Sequence, residues 1–563
     1  MTKNRITFNE IPFDFAQGDC QTERSPRLNE SFGQAWQAGR RGSLFTLLNN
    51  IDKLLKGLKI PFYSVSLFVI VTILISCNGG NFPKESTETD KLPQIFPDYT
   101  DITIPPNIAP LNFMIKEPGE KFAVRISSKN SDEINVSGKS PSIQINISDW
   151  KKLLSSNKGE KLNVEVLCKK EGLWTKYKTI THHISKDNID SYLSYRLINS
   201  AYVLWFEMGL YQRNLENFNE DVIIQNKSVG GACVNCHSLS KNNPEKFMFH
   251  IRSKFAGTLI YNEGKMEKVE TKTDYTLASA AYGAWNPNGR HIAFSVNQIN
   301  QNFYVFKDQS NEVSDKYSDL IVYDTQTNMI STSPKVSKRS RENLPEWSAD
   351  GKYLYYISAP EAVDDSARLI TKYSLMGIPY DPEKNIWGEV DSLISASKTG
   401  KSITFPRASP DGKFLVFCMT NYGYFTIHHK ESDLCILDLK TGEFRVASEI
   451  NSSETESYHS WSTNGRWLTF SSRRIDGIHT RTFLAHVDEN GKFGKPFVLP
   501  QKDPDFYNNY LLNFNRPELM TGKIKVSPQK IRDAARESAI PVVFDPKVNI
   551  DALSGASKIK KGN

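Results

Sequence analysis

The second half of the chain alternates apolar and polar residues with a period of two, interrupted at regular intervals by an Asp-Gly or Asn-Gly pair. Trp285-Asn-Pro-Asn-Gly-Arg290 precedes His291-Ile-Ala-Phe-Ser295, and Trp347-Ser-Ala-Asp-Gly-Lys352 precedes Tyr353-Leu-Tyr-Tyr-Ile357. Ala408-Ser-Pro-Asp-Gly-Lys413 precedes Phe414-Leu-Val-Phe-Cys418, and Trp461-Ser-Thr-Asn-Gly-Arg466 precedes Trp467-Leu-Thr-Phe-Ser471. Glycine and asparagine tolerate positive φ, so each unit predicts a strand, a tight turn and a second apolar strand. A second hairpin follows, as in Asp319-Leu-Ile-Val-Tyr-Asp324 and Asp433-Leu-Cys-Ile-Leu-Asp438. Four strands in each period of roughly fifty to sixty residues describe propeller blades. A fifth copy lies at Pro244-Glu-Lys246 and Phe247-Met-Phe-His-Ile-Arg252, with a second hairpin over 257–261 and 265–271. The pattern predicts a mainly β protein whose propeller spans 233–525 and has about five or six blades, followed by a tail over 526–563.

Before the repeats, short alternating segments at 113–115, 122–126, 142–147, 162–167 and 177–183 alternate with turn-rich stretches. They predict a small antiparallel β-sandwich over 97–187, fibronectin-like in its make-up. Residues 188–232 are rich in aromatics, among them Tyr192, Tyr195, Trp205 and Phe218. They are expected to form a mostly helical linker. Residues 77–96 are polar and rich in Pro, Ser, Thr and Glu, the composition of a tether.

Residues 60–75 form an apolar run preceded by Lys53, Lys56 and Lys59 and ending in Leu74-Ile75-Ser76-Cys77. A basic n-region, a short h-region and a small residue before the break make this a secretory signal. The ending matches a bacterial lipobox and predicts lipidation of Cys77. A membrane-spanning anchor is the alternative, but sixteen residues are marginal for crossing a bilayer. No fold is assigned to the first fifty residues, so 1–76 is an extension plus signal peptide. The expected location is the cell envelope: an outer-membrane lipoprotein, periplasm-facing or surface-exposed.

Charge adds little. The formal net charge is +7, and without 1–76 it is about +4, which gives no case for a nucleic-acid partner. Seven cysteines are present. Apart from Cys20, Cys77, Cys233 and Cys236, they are Cys168, Cys418 and Cys435. The last two fall on neighbouring expected strands, either as a disulfide or as two buried thiols.

Cys233-Val-Asn-Cys236-His237 carries the candidate chemistry. Cys-x-x-Cys-His is the attachment signature of haem c: two thiols reach the porphyrin vinyl groups and the adjacent imidazole becomes the proximal iron ligand. A zinc site would want a fourth ligand, and a thioredoxin-like pair would want a βαβ context. Both remain open, as does chance. On a strand, Met248 and His250 share a face, so either could be the distal ligand. Methionine would raise the potential and histidine would lower it. His459 or an open distal position are the other possibilities. No nucleophile elbow, phosphate-binding glycine loop or zinc-protease helix occurs. Asp350 and Asp411 sit in turns.

The repeats resemble the TolB-type, WD40-like propeller repeat. Tyr211-Gln-Arg-Asn-Leu-Glu-Asn217, Cys233-Val-Asn-Cys-His-Ser238, Met248-Phe-His-Ile-Arg252, Gly477-Ile-His-Thr-Arg481 and Lys495-Pro-Phe-Val-Leu-Pro-Gln-Lys-Asp-Pro504 extend the likeness. Together they resemble an uncharacterised family of exported TolB-like propeller lipoproteins from Bacteroidetes-type bacteria that carry a Cys-x-x-Cys-His segment. The resemblance implies a propeller with one covalent haem c and implies no reaction. The first expectation is a lipid-anchored haem protein for electron transfer or redox sensing with a redox partner protein. The second is a scaffold whose propeller face binds protein or glycan, with haem structural or absent. Peroxide chemistry at an open haem would be a third.

Overall fold

The computed structural model describes residues 82–200, 207–276, 278–302, 311–361 and 369–553. Cys77, the apolar run before it and the extension lie outside these residues.

The protein is mainly β. Six sheets, each built around four strands in antiparallel order, follow one another along the chain. The first contains Tyr192–Asn199, Met208–Asn214 and Glu220–Gln225, and its innermost strand is Leu512–Met520 from the far end of the chain. The second runs Cys233–Leu239, Lys246–Arg252, Gly257–Asn262 and Lys265–Glu270. The remaining four open on Ala280–Trp285, Arg341–Trp347, Ser402–Ala408 and Glu456–Trp461. Each innermost strand contacts the next, and Leu512–Met520 touches both Glu456–Trp461 and Cys233–Leu239. The six therefore form a closed cycle.

Stacking explains the apolar runs. Phe414–Thr420 and Trp467–Ser472 are buried along nearly their whole length. A sheet packed between two neighbours must be apolar on both faces, so strict alternation disappears. Separate core clusters join the second sheet to the third, the third to the fourth and the fourth to the fifth. The turns recur in detail. Gly289, Gly351, Gly412 and Gly465 have φ between 66° and 72°. The Oδ1 atoms of Asp350 and Asp411 accept the Lys352 and Lys413 amides at 3.1 and 3.2 Å, so these carboxylates are turn-formers.

One irregularity repeats six times. Cys236, Tyr282, Leu344, Phe405, Tyr458 and Arg516 all have positive φ, between 44° and 52°. Each sits where its innermost strand slips register against the second strand. These are β-bulges at equivalent positions, which turn the following side chain out of the normal alternation.

Residues 82–187 form a seven-stranded sheet and a three-stranded sheet. The helix Ile147–Ser156 is capped by Asn146, whose Oδ1 accepts the Ser148 and Asp149 amides. It buries Trp150, Leu153 and Leu154. The core of this part is continuous with that of the fifth and sixth sheets. Tyr99 Oη donates to the Val498 carbonyl at 3.3 Å, and Asn112 Nδ2 donates to the Gln501 carbonyl at 3.2 Å.

Three expectations are corrected. The helical linker over 188–232 is three strands, Tyr192–Asn199, Met208–Asn214 and Glu220–Gln225. Tyrosine-rich runs buried on both faces lose the period of two and imitate a helical stripe, while aromatics favour strands. The tether over 77–96 is folded from Thr87 onward: Thr87–Glu88 pairs with Leu173–Lys176, and Ile95–Phe96 with Phe113–Ile115. The tail over 526–563 is structural as far as it is described. The helix Pro528–Arg536 buries Ile531 and Ala535. Ile540–Pro541 and Val543–Phe544 then add as parallel strands to the outer edges of the second and third sheets. Two-residue pairings have no period to detect.

Phe514 is 1% exposed in the closing strand, its ring 4.9 Å from that of Tyr195. Phe514→Ala is expected to cost about 3–5 kcal/mol in denaturant unfolding. Phe444→Ala, on an exposed outer strand, should cost about 0.5 kcal/mol. Equal costs would contradict closure through Leu512–Met520.

Candidate functional site

A cavity lies at each end of the innermost strands. The smaller, of about 110 Å³, lies at their N-terminal ends and is bordered by Cys233, Cys236, Tyr282, Tyr458 and Arg516. The larger, of about 420 Å³, lies at their C-terminal ends and is bordered by Trp285, Trp347, Trp461, Glu346, Arg407 and Glu518.

Between them runs a chain of buried or half-buried ionisable groups. Arg407 lies 3.1 Å from Glu346 and 3.4 Å from Glu518, and Arg516 lies 3.6 Å from Glu518. Glu346 and Glu518 each stand two residues past a bulge, the same position as Arg407, so the fourth, fifth and first sheets meet across the centre through like positions. Burial pushes the Glu346 carboxyl up to about 7, with Arg407 opposing the shift and Glu518 adding to it. Burial also raises Glu518, against the pull of Arg407 and Arg516. Two carboxylates sharing Arg407 in a desolvated place favour retention of a proton.

The motif Cys233-Val-Asn-Cys-His237 forms the innermost strand of the second sheet. Cys233 is buried, its Sγ 3.8 Å from Met208 Sδ, and Asn235 Nδ2 donates to that sulfur at 3.4 Å. Burial pushes its thiol up to about 12. Cys236 is the bulge residue, half-buried at the edge of the same small cavity. Both are free thiols. The structure therefore brings the two cysteines to one cavity.

It does not bring the three candidate iron ligands together. His237 is buried on the side of the first sheet, facing the Ser194 backbone, with Arg516 and Arg196 nearby. Burial holds it well below the usual imidazole range, against the opposing pull of a hydrogen bond with the Ser194 backbone, so it is neutral. Met248 and His250 leave the opposite face, toward the third sheet. A Cβ on Gly283 would lie 2.0 Å from Met248 Cε, so only glycine fits beneath it. His250 Nδ1 lies 2.8 Å from Thr258 Oγ1, and its ring centre lies 5.8 Å from that of Phe294. With the sheet backbone between them, His237 cannot share one iron with Met248 or His250. As folded, these residues do not fit a six-coordinate haem.

His459 supplies the comparison. It follows the Tyr458 bulge as His237 follows Cys236, and its Nε2 hydrogen-bonds the Val416 carbonyl of the preceding sheet at 2.9 Å. Position for position, this carbonyl corresponds to that of Ser194, since Val416 pairs with Arg407 and Ser194 with Glu518. A histidine after the bulge thus serves as an inter-sheet contact in the sixth sheet. Cys418 and Cys435 are both free. Cys435 pairs with Phe417, not with Cys418, so the two thiols leave opposite faces of the fifth sheet. Among the described residues, no group of three or more His, Cys, Asp or Glu side chains is placed to share a metal ion.

No family model matches the chain, and no curated protein matches it. Among solved structures, it is similar to an oligogalacturonate lyase in complex with manganese at 12% identity, over 66% of this chain and 98% of that one, with a TM-score of 0.28. It is similar to a puromycin-hydrolyzing peptidase of Mycobacterium tuberculosis at 12% identity, over 61% and 51% of the two chains, with a TM-score of 0.30. A DUF4784 family protein from Bacteroides caccae is 8% identical over 73% and 97%, with a TM-score of 0.28. Likenesses this distant carry no functional argument.

The ion chain has a pH signature. Folded Glu346 keeps its proton to about pH 7, whereas the unperturbed carboxyl titrates at 4.5. A raised carboxyl contributes stability that is complete below the unfolded value and is lost as pH rises through the folded one. Glu346→Gln should therefore flatten the fall in stability between about pH 4.5 and 7, measured as unfolding midpoints across that window. An unchanged slope would show that Glu346 ionises at its ordinary pH.

Proposed function

We propose that the six sheets are the blades of a six-bladed propeller, with residues 82–187 as a β-sandwich against it, and that the protein is a binding scaffold. Its ligand site is the larger chamber. The observation that carries this reading is the chamber's size and lining. About 420 Å³ falls within the 300–1,000 Å³ of small-ligand sites. Three tryptophans with a few buried charged groups suit a ligand that has both apolar faces and hydrogen-bonding groups, as a glycan or an extended protein segment has. The lipobox at Cys77 would anchor the scaffold in the cell envelope, as an outer-membrane lipoprotein facing the periplasm or the surface.

A second reading is covalent haem c on Cys233 and Cys236, serving electron transfer or redox sensing. One observation favours it: both thiols border one cavity. Haem would supply one-electron chemistry at iron. With Met248 or His250 as the distal ligand, this reading requires the strand Cys233–Leu239 to leave its pairing with Lys246–Arg252, because His237 otherwise stays on the wrong face.

The two readings separate in one preparation. The chain from Cys77 onward is exported into a periplasm equipped for cytochrome c maturation, then examined by pyridine haemochrome spectrum and intact mass. The scaffold reading predicts no c-type spectrum and the bare polypeptide mass. A spectrum with one haem of added mass, lost in Cys233→Ala/Cys236→Ala, would establish the second reading instead. Saturable quenching of tryptophan emission by an oligosaccharide or extended peptide would support the scaffold directly, and silence across such a panel would count against it.

A further inference from the structure

We propose that the smaller cavity binds a small anion of the carboxylate or phosphate class, held by guanidinium groups. The inference adds to the scaffold reading a second site at the other end of the innermost strands. It depends on that reading only in requiring that no porphyrin occupy the thiols.

Three arginines border the cavity from three strands: Arg196 in the first sheet, Arg252 in the second and Arg516 in the closing strand. No aspartate or glutamate is among the residues that border it. Their existing partners leave charge over. Arg252 donates to the Ala280 carbonyl at 2.8 Å, a neutral acceptor. The carboxylate beside Arg516 is Glu518 at 3.6 Å, which also faces Arg407 at 3.4 Å. The Arg516 side chain is 11% exposed, yet one of its terminal nitrogens is buried without a hydrogen bond. The Arg196 Nε is likewise buried and unbonded.

Guanidinium nitrogens buried with unmet donors are costly unless a partner satisfies them. The planar fork of arginine matches a carboxylate or phosphate through two parallel hydrogen bonds, and charge-assisted bonds of this kind are the strong ones. The volume sets the size of the guest. About 110 Å³ admits several waters, and so an anion of a few heavy atoms, but is well below the range of larger organic ligands.

The test uses thermal unfolding and calorimetric titration of the chain from residue 77 onward. Sodium phosphate, sulfate, succinate and citrate are compared with sodium chloride at equal ionic strength. At least one of these anions should raise Tm by several degrees and titrate saturably. Arg516→Met should abolish that response. Arg196→Gln, at a partly exposed position that should fold normally, should weaken binding roughly tenfold or more. The titration is run on protein exported without haem-maturation machinery, so its result is independent of the haemochrome result. No anion exceeding chloride, or a response that survives both arginine substitutions, would overturn the proposal.

Discussion

Everything in this fold depends on one long-range pairing, that of Leu512–Met520 with Tyr192–Asn199. It joins strands more than three hundred residues apart and turns a row of stacked sheets into a closed cycle. An open row would expose the buried faces of its two end sheets, including Phe514, Tyr195 and Leu519. Closure also imports Arg516 and Glu518 into the centre. The ion chain and the arginine-bordered cavity therefore exist only when the chain end has docked.

The second constraint is the bulge shared by all six innermost strands. It decides what each residue type at that point can do. Cys236 and Tyr458 are set at the smaller cavity, while the histidines after them, His237 and His459, turn toward the preceding sheet. The same backbone rule that makes a regular ring thus separates the parts of Cys-x-x-Cys-His. The thiols go to the centre and the imidazole to the seam between sheets. The pairing of the innermost strand and the attachment of haem would place different demands on the same five residues.

Much of the architecture was legible because turn chemistry leaves a local mark. Asn-Gly and Asp-Gly pairs, each followed by an apolar strand, located four of the six sheets, and Phe247-Met-Phe-His-Ile-Arg252 located a fifth. The sheet over 192–225 escaped because its tyrosine-rich strands are buried on both faces and its innermost strand lies at the other end of the chain. The edge strands of the tail were invisible because a pairing of two residues has no period. At the site, the cysteines were found by spacing. The facing of Met248 and His250 followed from strand alternation, but the displacement of His237 did not, since alternation fails at a bulge. Arg196, Arg252, Arg407 and Arg516 carried no local signal. Only the stacking of sheets shows that these cations converge.

The central claim is that Cys233-Val-Asn-Cys-His237 serves as an innermost strand with two free thiols beside a cationic cavity. Peptide mapping tests it most directly. Protein exported in the presence of haem-maturation machinery is denatured, alkylated and digested, and the peptide containing Cys233 and Cys236 is identified by mass. The account predicts that each of the two cysteines carries one alkyl label. A peptide that takes no label, with the mass of an attached haem or of a disulfide, would contradict it.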